Sequence, residues 1–283
     1  MIKQIDTALI EKKVMELLLD ANYDIGQKFL DNLSRQGENE SSDLARLVIS
    51  QLVENDKIAK LEGIPMCQDT GMVVIFIEIG QNVHLTGKNL YAAINDGVKE
   101  AYTVGYLRKS VVADPLFDRI NTKDNTPAII HTEIVPGDNI YITVVPKGFG
   151  SENMSAIKML KPADGVDGVK NFVLETIKRA GPNPCPPIIV GVGIGGTFEK
   201  VAILSKKALT REIGIHNSNE KYAKLECELL EEINCLNIGP AGLGGKTTAL
   251  AVNIEYYPTH IAGLPVAVNI CCHAYRHKSG YIY

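Results

Sequence analysis

The feature that most limits the fold of this chain is a change of hydrophobic period near Gly63. Before it, apolar residues recur at helical spacing, as in Ile10, Val14, Leu17 and Leu18, then Leu44, Leu47, Val48, Ile49 and Leu52. A further helix is expected over Tyr23–Gln36, followed by the polar break Gly37-Glu-Asn-Glu-Ser-Ser42. Ser42 or Asp43 then supplies the N-cap of the third helix. After Gly63 short β-branched runs take over: Val73–Ile79, Ile140–Val145 behind the turn Pro136-Gly137-Asp138, Ile188–Val192 and Val266–Ile270. Thr248–Tyr256 alternates apolar and polar residues, which suits a half-buried strand.

Between these runs lie amphipathic stretches over Leu90–Thr103, Asp164–Arg179 and Ser218–Ile233. Val166, Val169, Val173 and Ile177 share a face of the second, with Gly181 as its C-cap. Leu225, Leu229, Leu230 and Ile233 line the third. No repeat, low-complexity tract or Pro/Ser-rich linker divides the sequence. The expectation is one mixed α/β (α+β) domain over residues 1–283, helical over 1–60 and mixed over 61–283, with a β-sheet flanked by helices.

Charge narrows the function. Lys and Arg number 29 against 33 Asp and Glu, a net charge of −4, so the chain carries no electrostatic footprint for nucleic acid or an anionic membrane. Its longest largely apolar runs, such as Met72–Ile79 with Glu78 its one charged residue, hold about eight residues where a bilayer span takes roughly 18–20. The N-terminus lacks the apolar core and small-residue cleavage site of a secretory leader. A cytoplasmic protein is expected, in which six cysteines serve as metal ligands, catalytic groups or apolar fillers rather than as disulfides.

Five stretches concentrate glycine, proline and polar residues beyond what packing needs: Met66-Cys-Gln-Asp-Thr-Gly71, Gly148-Phe-Gly-Ser-Glu-Asn153, Asn183-Pro-Cys-Pro-Pro187, Gly239–Thr247 and Ile270–His277. Cys227 and Cys235, in or beside a helix, read as buried fillers. Cys67 opens a turn before a strand, and Cys185 is stiffened by prolines. Cys271 and Cys272 point to opposite faces of an extended segment, so only one can enter a site. The long separations do not match the paired spacing of a zinc ribbon or the tight spacing of a ferredoxin. Three such thiolates could hold an iron–sulfur cluster with one iron left open for Lewis-acid chemistry, or they could be unrelated buried thiols.

Two glycine motifs resemble nucleotide loops. Gly191-Val-Gly-Ile-Gly-Gly196 follows a strand as a dinucleotide fingerprint does, but no acidic residue ends a second strand about 20 positions later; Arg211, Glu212 and His216 lie there in a polar stretch. Gly242-Leu-Gly-Gly-Lys-Thr-Thr248 approaches a phosphate loop, yet Pro240 stands where the motif needs glycine. Both remain candidate loops for binding a carboxylate.

Taken together, Cys67-Gln-Asp-Thr-Gly71, the Gly-rich Ser151-Glu-Asn153 segment, Asn183-Pro-Cys-Pro-Pro187 followed by Gly193-Ile-Gly-Gly-Thr197, and Gly239-Pro-Ala-Gly-Leu-Gly-Gly245 closely resemble class I, iron–sulfur-dependent fumarate hydratases and the related L-tartrate dehydratases. The likeness runs from about residue 10 to residue 277. It implies the α subunit of a two-chain enzyme that dehydrates (S)-malate to fumarate, with L-tartrate dehydratase as the alternative of the same chemistry. A non-catalytic iron–sulfur redox or sensor protein is the alternative of another class.

The resemblance also implies a [4Fe–4S] cluster held by Cys67, Cys185 and Cys272, the last in preference to Cys271. Asp69 would be the proton donor to the departing hydroxyl. Gln68, Arg108, Gly150 and His260 would contact a small dicarboxylate substrate, with the register of Gly150 against Gly148 left open. No residue here matches the family's threonine base or its further carboxylate-binding arginines and lysine. The implied partner is a separate β subunit that completes the site, within an α2β2 assembly containing a homodimer of α.

Overall fold

Local chemistry starts half of the helices. Asp6 accepts from the Ala8 N–H at 2.8 Å, Asn89 from those of Tyr91 and Ala92, and Asn219 from that of Lys221, each satisfying donors that an opening helix leaves orphaned. Ser42 performs this task for the third helix, with its Oγ 3.4 Å from the Ala45 amide. The computed structural model describes residues 2–283.

In chain order the elements are β1 (Lys3–Asp6), α1 (Thr7–Tyr23), α2 (Gln27–Asn39), α3 (Asp43–Glu62), β2 (Met72–Gly80), β3 (Val83–Thr86) and α4 (Leu90–Val104). There follow β4 (Ile129–Val135), β5 (Ile140–Lys147), α5 (Phe149–Glu152), β6 (Ala156–Leu160), α6 (Gly165–Ala180), β7 (Ile188–Gly195) and α7 (Phe198–Ala208). The chain ends with α8 (Glu220–Asn234), β8 (Ala249–Tyr257), β9 (Leu264–Cys271) and β10 (Lys278–Ile282). The class is mixed α and β, as expected. No helix among the described residues is long and apolar enough to cross a membrane.

The chain forms two compact units. The first comprises Met1–Ile25, Asp56–Phe149 and Arg276–Tyr283; the second comprises Gly26–Asn55 and Gly150–Tyr275. The helical N-terminal region is therefore shared between them.

In the first unit the strand order is β10-β5-β2-β4, with β2 and β4 parallel and the other pairs antiparallel, beside a small parallel β1–β3 pair. Helices α1 and α4 contribute Ile10, Val14, Leu18, Ile94 and Val98 to a core with Val73, Ile75, Ile142 and Val144 of the sheet.

The second unit has the order β6-β9-β7-β8, with β7 and β8 parallel. Its core joins Val173 and Ile177 of α6, Leu229 and Ile233 of α8, and the apolar residues of β7, β8 and β9. Expected as half-buried, β8 is instead buried on both faces from Ala249 to Ile254 although it is an edge strand. Glu226 of α8 and Arg211 lock it. The Ile254 N–H donates to Glu226, its carbonyl accepts from Arg211, and the guanidinium also pairs with Glu226 and Glu255.

Two further expectations are corrected here. Cys227 and Cys235 are exposed, because Leu225, Leu229 and Ile233 already supply the inward face of α8 and Cys227 points away from it. Val166, in the first turn of α6, is also exposed rather than on the buried face.

The dinucleotide-like glycines have a packing role. A Cβ built on Gly193 would lie 2.2 Å from the Val201 carbonyl oxygen, and one on Gly191 would lie 2.1 Å from that of Ser205. Helix α7 thus sits directly on the backbone of β7. Because that contact is backbone against backbone, Gly193→Ala is expected to destabilise the protein by about 1–3 kcal/mol or more. Urea unfolding of the variant, with the m-value unchanged, checks this.

Candidate active site

The candidate residues divide between the units. Cys67, Gln68, Asp69 and Arg108 belong to the first, and Gly150, Cys185, His260 and Cys272 to the second.

In the first unit, Met66–Gly71 is irregular backbone between α3 and β2, and buried groups from elsewhere in the unit hold it at Met66, Asp69, Thr70 and Gly71. The Met66 N–H donates to the Asn22 carbonyl at 3.0 Å. Arg276, 3% exposed, donates to the Asp69 main-chain oxygen at 2.5 Å and reaches Asn22 Oδ1 at 3.5 Å. The Tyr102 hydroxyl donates to the Thr70 carbonyl at 2.6 Å, and burial pushes its pKa up, so it stays a neutral donor. Asn125 donates to the Gly71 carbonyl at 3.1 Å.

This truss fixes the direction of the Asp69 carboxylate. Oδ1 accepts from the Gly71 N–H at 3.0 Å and Oδ2 from the Phe149 N–H at 2.9 Å, which leaves one lone pair on each oxygen for a ligand. Gln68 beside it is exposed, and Cys67 is half-buried. Arg108 is brought to the same loop: its carbonyl accepts from Thr70 Oγ1 at 3.1 Å while its side chain is exposed. Gly148 faces this group, since a Cβ there would lie 3.3 Å from both Asp69 Oδ2 and Arg276 Nη2.

A Cβ on Gly150 would lie 3.7 Å from the Asn183 carbonyl, within the second unit. The Ser-Glu-Asn motif beside it is anchored by Glu152, which pairs with Lys206 at 2.5 Å and accepts from Asn269 at 3.0 Å.

Three glycine- and cysteine-bearing segments meet in the second unit. The His273 N–H donates to the Cys185 carbonyl at 3.3 Å, joining the loops of Cys185 and Cys272. The Ala241 N–H donates to the Pro186 carbonyl at 2.7 Å, and a Cβ on Gly242 would strike Pro182 at 2.2 Å. Cys185 is exposed at a left-handed φ of 53°, and Cys272 is half-buried just past the end of β9. Cys271 is 8% exposed and paired in the ladder opposite Ile189, so Cys272 is the thiol of that pair with the greater access.

Accessible sulfur donors on loops suit an iron–sulfur group. Among the described residues, no set of three or more His, Cys, Asp or Glu side chains is arranged to hold a single metal ion.

His260 is not brought to these thiols within the second unit. Cys185 precedes the start of β7 and Cys271 pairs near that start, whereas His260 follows the residue pair Gly195–Tyr257 at the other end. The eight residues of β7 separate the two ends by about 23 Å. His260 instead borders a groove of about 370 Å³ lined by Val166, Val169, Ile194, Tyr222 and Leu225.

The Gly239–Thr247 loop does bind a carboxylate, but one supplied by the chain. Glu40, 3% exposed, accepts from the Thr247 N–H at 2.6 Å and the Lys246 N–H at 3.0 Å. Sequence reading could not pair residues 206 positions apart. Nor did it assign roles to Arg276, Tyr102 or Asn125; only Arg276, in the Cys272-His-Ala-Tyr-Arg-His277 run, carried a local signal.

These features describe a mixed α/β protein whose irregular loops display thiols, a fixed carboxylate and an exposed arginine. The family model described as fumarate hydratase (Fumerase) matches residues 11–280, and the chain belongs to that family of hydro-lyases. It is 44% identical over 271 residues to the putative L(+)-tartrate dehydratase subunit alpha of Methanocaldococcus jannaschii, covering 94% of this chain and 95% of that protein. It is 36% identical over 251 residues to the L(+)-tartrate dehydratase subunit alpha of Escherichia coli strain K12, covering 87% and 82%. The Shigella sonnei protein of the same name matches equally.

Burial pushes the Glu40 carboxyl up, but hydrogen bonds from Lys246 and Thr247 outweigh it and hold the pKa below the ordinary value. Its contribution to stability is therefore present above the unfolded-state pKa near ~4.3 and lost as pH falls through the lower folded value. Glu40→Gln is expected to lower the thermal midpoint at pH 7 and to flatten the acid limb of a midpoint-versus-pH curve. An unchanged acid limb would remove Glu40 as its source.

Proposed function

We propose that the chain is the α subunit of a hydro-lyase acting on a small 2-hydroxy dicarboxylate, and that L-tartrate, dehydrated to oxaloacetate, is the substrate. The observation that carries this reading is the 44% identity to a relative named as a tartrate dehydratase α subunit, across nearly all of both chains. The (S)-malate to fumarate reaction is the second reading, favoured by the description of the family model. The relatives' names as α subunits support a separate β partner, for which we propose an α2β2 assembly in the cytoplasm.

Dehydration expels hydroxide, a poor leaving group, and removes a proton from the neighbouring carbon. A [4Fe–4S] cluster held by Cys67, Cys185 and Cys272 supplies, when bound, a Lewis-acidic iron that stabilises the departing oxygen. The chain's own residues position and protonate. Arg108 offers two parallel donors to a substrate carboxylate. Gln68, exposed beside Asp69, offers both a donor and an acceptor to the polar groups of the ligand. Asp69 delivers a proton to the hydroxyl oxygen, with its orientation set beforehand by the Gly71 and Phe149 amides. The proton on carbon is taken by a base of the β subunit.

With the β partner present and oxygen excluded, iron and acid-labile sulfide should each approach about four per α chain. Both should fall in Cys67→Ser, Cys185→Ser and Cys272→Ser but not in Cys271→Ser. Asp69→Asn should lower turnover on the order of 10²–10⁴-fold while the cluster is retained. Turnover at the unmodified rate would remove Asp69 from the mechanism, whereas no turnover of either substrate by the unsubstituted, cluster-loaded assembly would leave the redox or sensor alternative. Parallel assays with L-tartrate and (S)-malate decide between the two substrates.

A further inference from the structure

Asn125 is wholly buried, at 0% exposure, in an irregular segment where its φ is 62°. That segment is shaped by its neighbours. Asn121 accepts from the Lys123 N–H at 2.7 Å, and Asp124 accepts from the N–H and hydroxyl of Thr126 at 3.1 and 2.8 Å. The Asn125 amide takes no part in this and is spent on two other stretches of the first unit. Nδ2 donates to the Gly71 carbonyl at 3.1 Å, and Oδ1 accepts from the Ser110 N–H at 2.8 Å.

The two stretches it joins are the ones that carry the proposed acid and the proposed carboxylate clamp. Gly71 closes the Asp69 loop and donates its own N–H to Asp69 Oδ1. Ser110 stands two residues beyond Arg108. The other tie between these stretches runs from Thr70 Oγ1 to the carbonyl of Arg108 itself, two residues before Ser110. Arg108 is thus held both at its own carbonyl and two residues later, and each hold leads back to the Asp69 loop.

We propose that Asn125 is a positioning residue that sets Arg108 against Asp69, so that a dicarboxylate gripped by the arginine presents its hydroxyl to the carboxyl group. The inference rests on the roles assigned above to those two residues. Its energetic logic is preorganisation: the bridging Asn125 and its partner Gly71 are buried, and the two bonds tie the exposed Ser110 to them before any ligand arrives.

The test uses the α chain assembled with its β partner and loaded with cluster. Asn125→Asp keeps an acceptor for Ser110 and loses the donor to Gly71. Asn125→Gly accepts the left-handed backbone without strain and loses both bonds. In each, kcat per assembled cluster is expected to fall on the order of 10–100-fold, the scale of an ångström-size misplacement. KM should rise less than roughly threefold, because Arg108 itself is intact. Amide hydrogen exchange should quicken together in residues 69–73 and 108–111.

Asp69→Asn serves as the control. If that variant turns over at the unmodified rate, the reading of the site fails. If it is inactive while both Asn125 variants keep full kcat per cluster, the positioning role is overturned. A loss accounted for wholly by lower cluster content or less folded protein overturns it too, as does faster exchange in only one of the two segments.

Discussion

Irregular backbone at the edge of a core must find hydrogen-bond partners outside itself, and the site loops of this protein depend on that constraint. A helix or strand satisfies its own amides and carbonyls; Met66–Gly71 cannot. Its carbonyls and amides are met by Asn22, Tyr102, Asn125 and Arg276, all of them buried. In the second unit Glu40 does the same for Lys246 and Thr247. Each polar group is costly to bury alone and inexpensive once paired, so the pairing holds the loops to one geometry.

This division of labour explains which parts of the molecule were legible in the sequence. Helices such as α1 and α8 and strands such as β2 and β5 announce themselves by period, because one face of each meets a core. The short strands β1, β3, β6 and β10 do not, since pairing rather than burial defines them and several of their side chains are exposed. Strand β8 was misjudged for the opposite reason. Its polar members, such as Asn253, are buried through hydrogen bonds to the Ala208 and Arg211 carbonyls, so alternation in its sequence did not mean alternation in exposure.

The site was legible to a different degree. Cysteines, glycines and prolines clustered where packing did not need them, and those clusters mark the loops now seen in both units. Access separates Cys272 from Cys271 as side-chain alternation implied. What the sequence could not show is the set of supporting residues, because Glu40, Tyr102 and Asn125 act on backbone groups tens to hundreds of positions away. Glycine spacing was the most misleading signal. Gly191 and Gly193 match a nucleotide fingerprint, yet their lack of a Cβ serves the approach of α7 to β7. The Gly239–Thr247 loop has the anion-binding character expected of it but spends that on an internal carboxylate.

The same accounting separates what the first unit keeps for itself from what it offers outward. Arg276 is buried and supports the loop through Nη1, which donates to the Asp69 main-chain oxygen and reaches Asn22 Oδ1. Arg108 is the reverse: its backbone is tied and its guanidinium is exposed. Asp69 stands between the two cases, since each oxygen already accepts one amide and retains one lone pair. A carboxyl group held this way cannot rotate to follow a ligand, so the ligand must be delivered to it. In the function proposed above, the carboxylate clamp is Arg108, and the ties from Thr70 and Asn125 are what hold its backbone to the Asp69 loop.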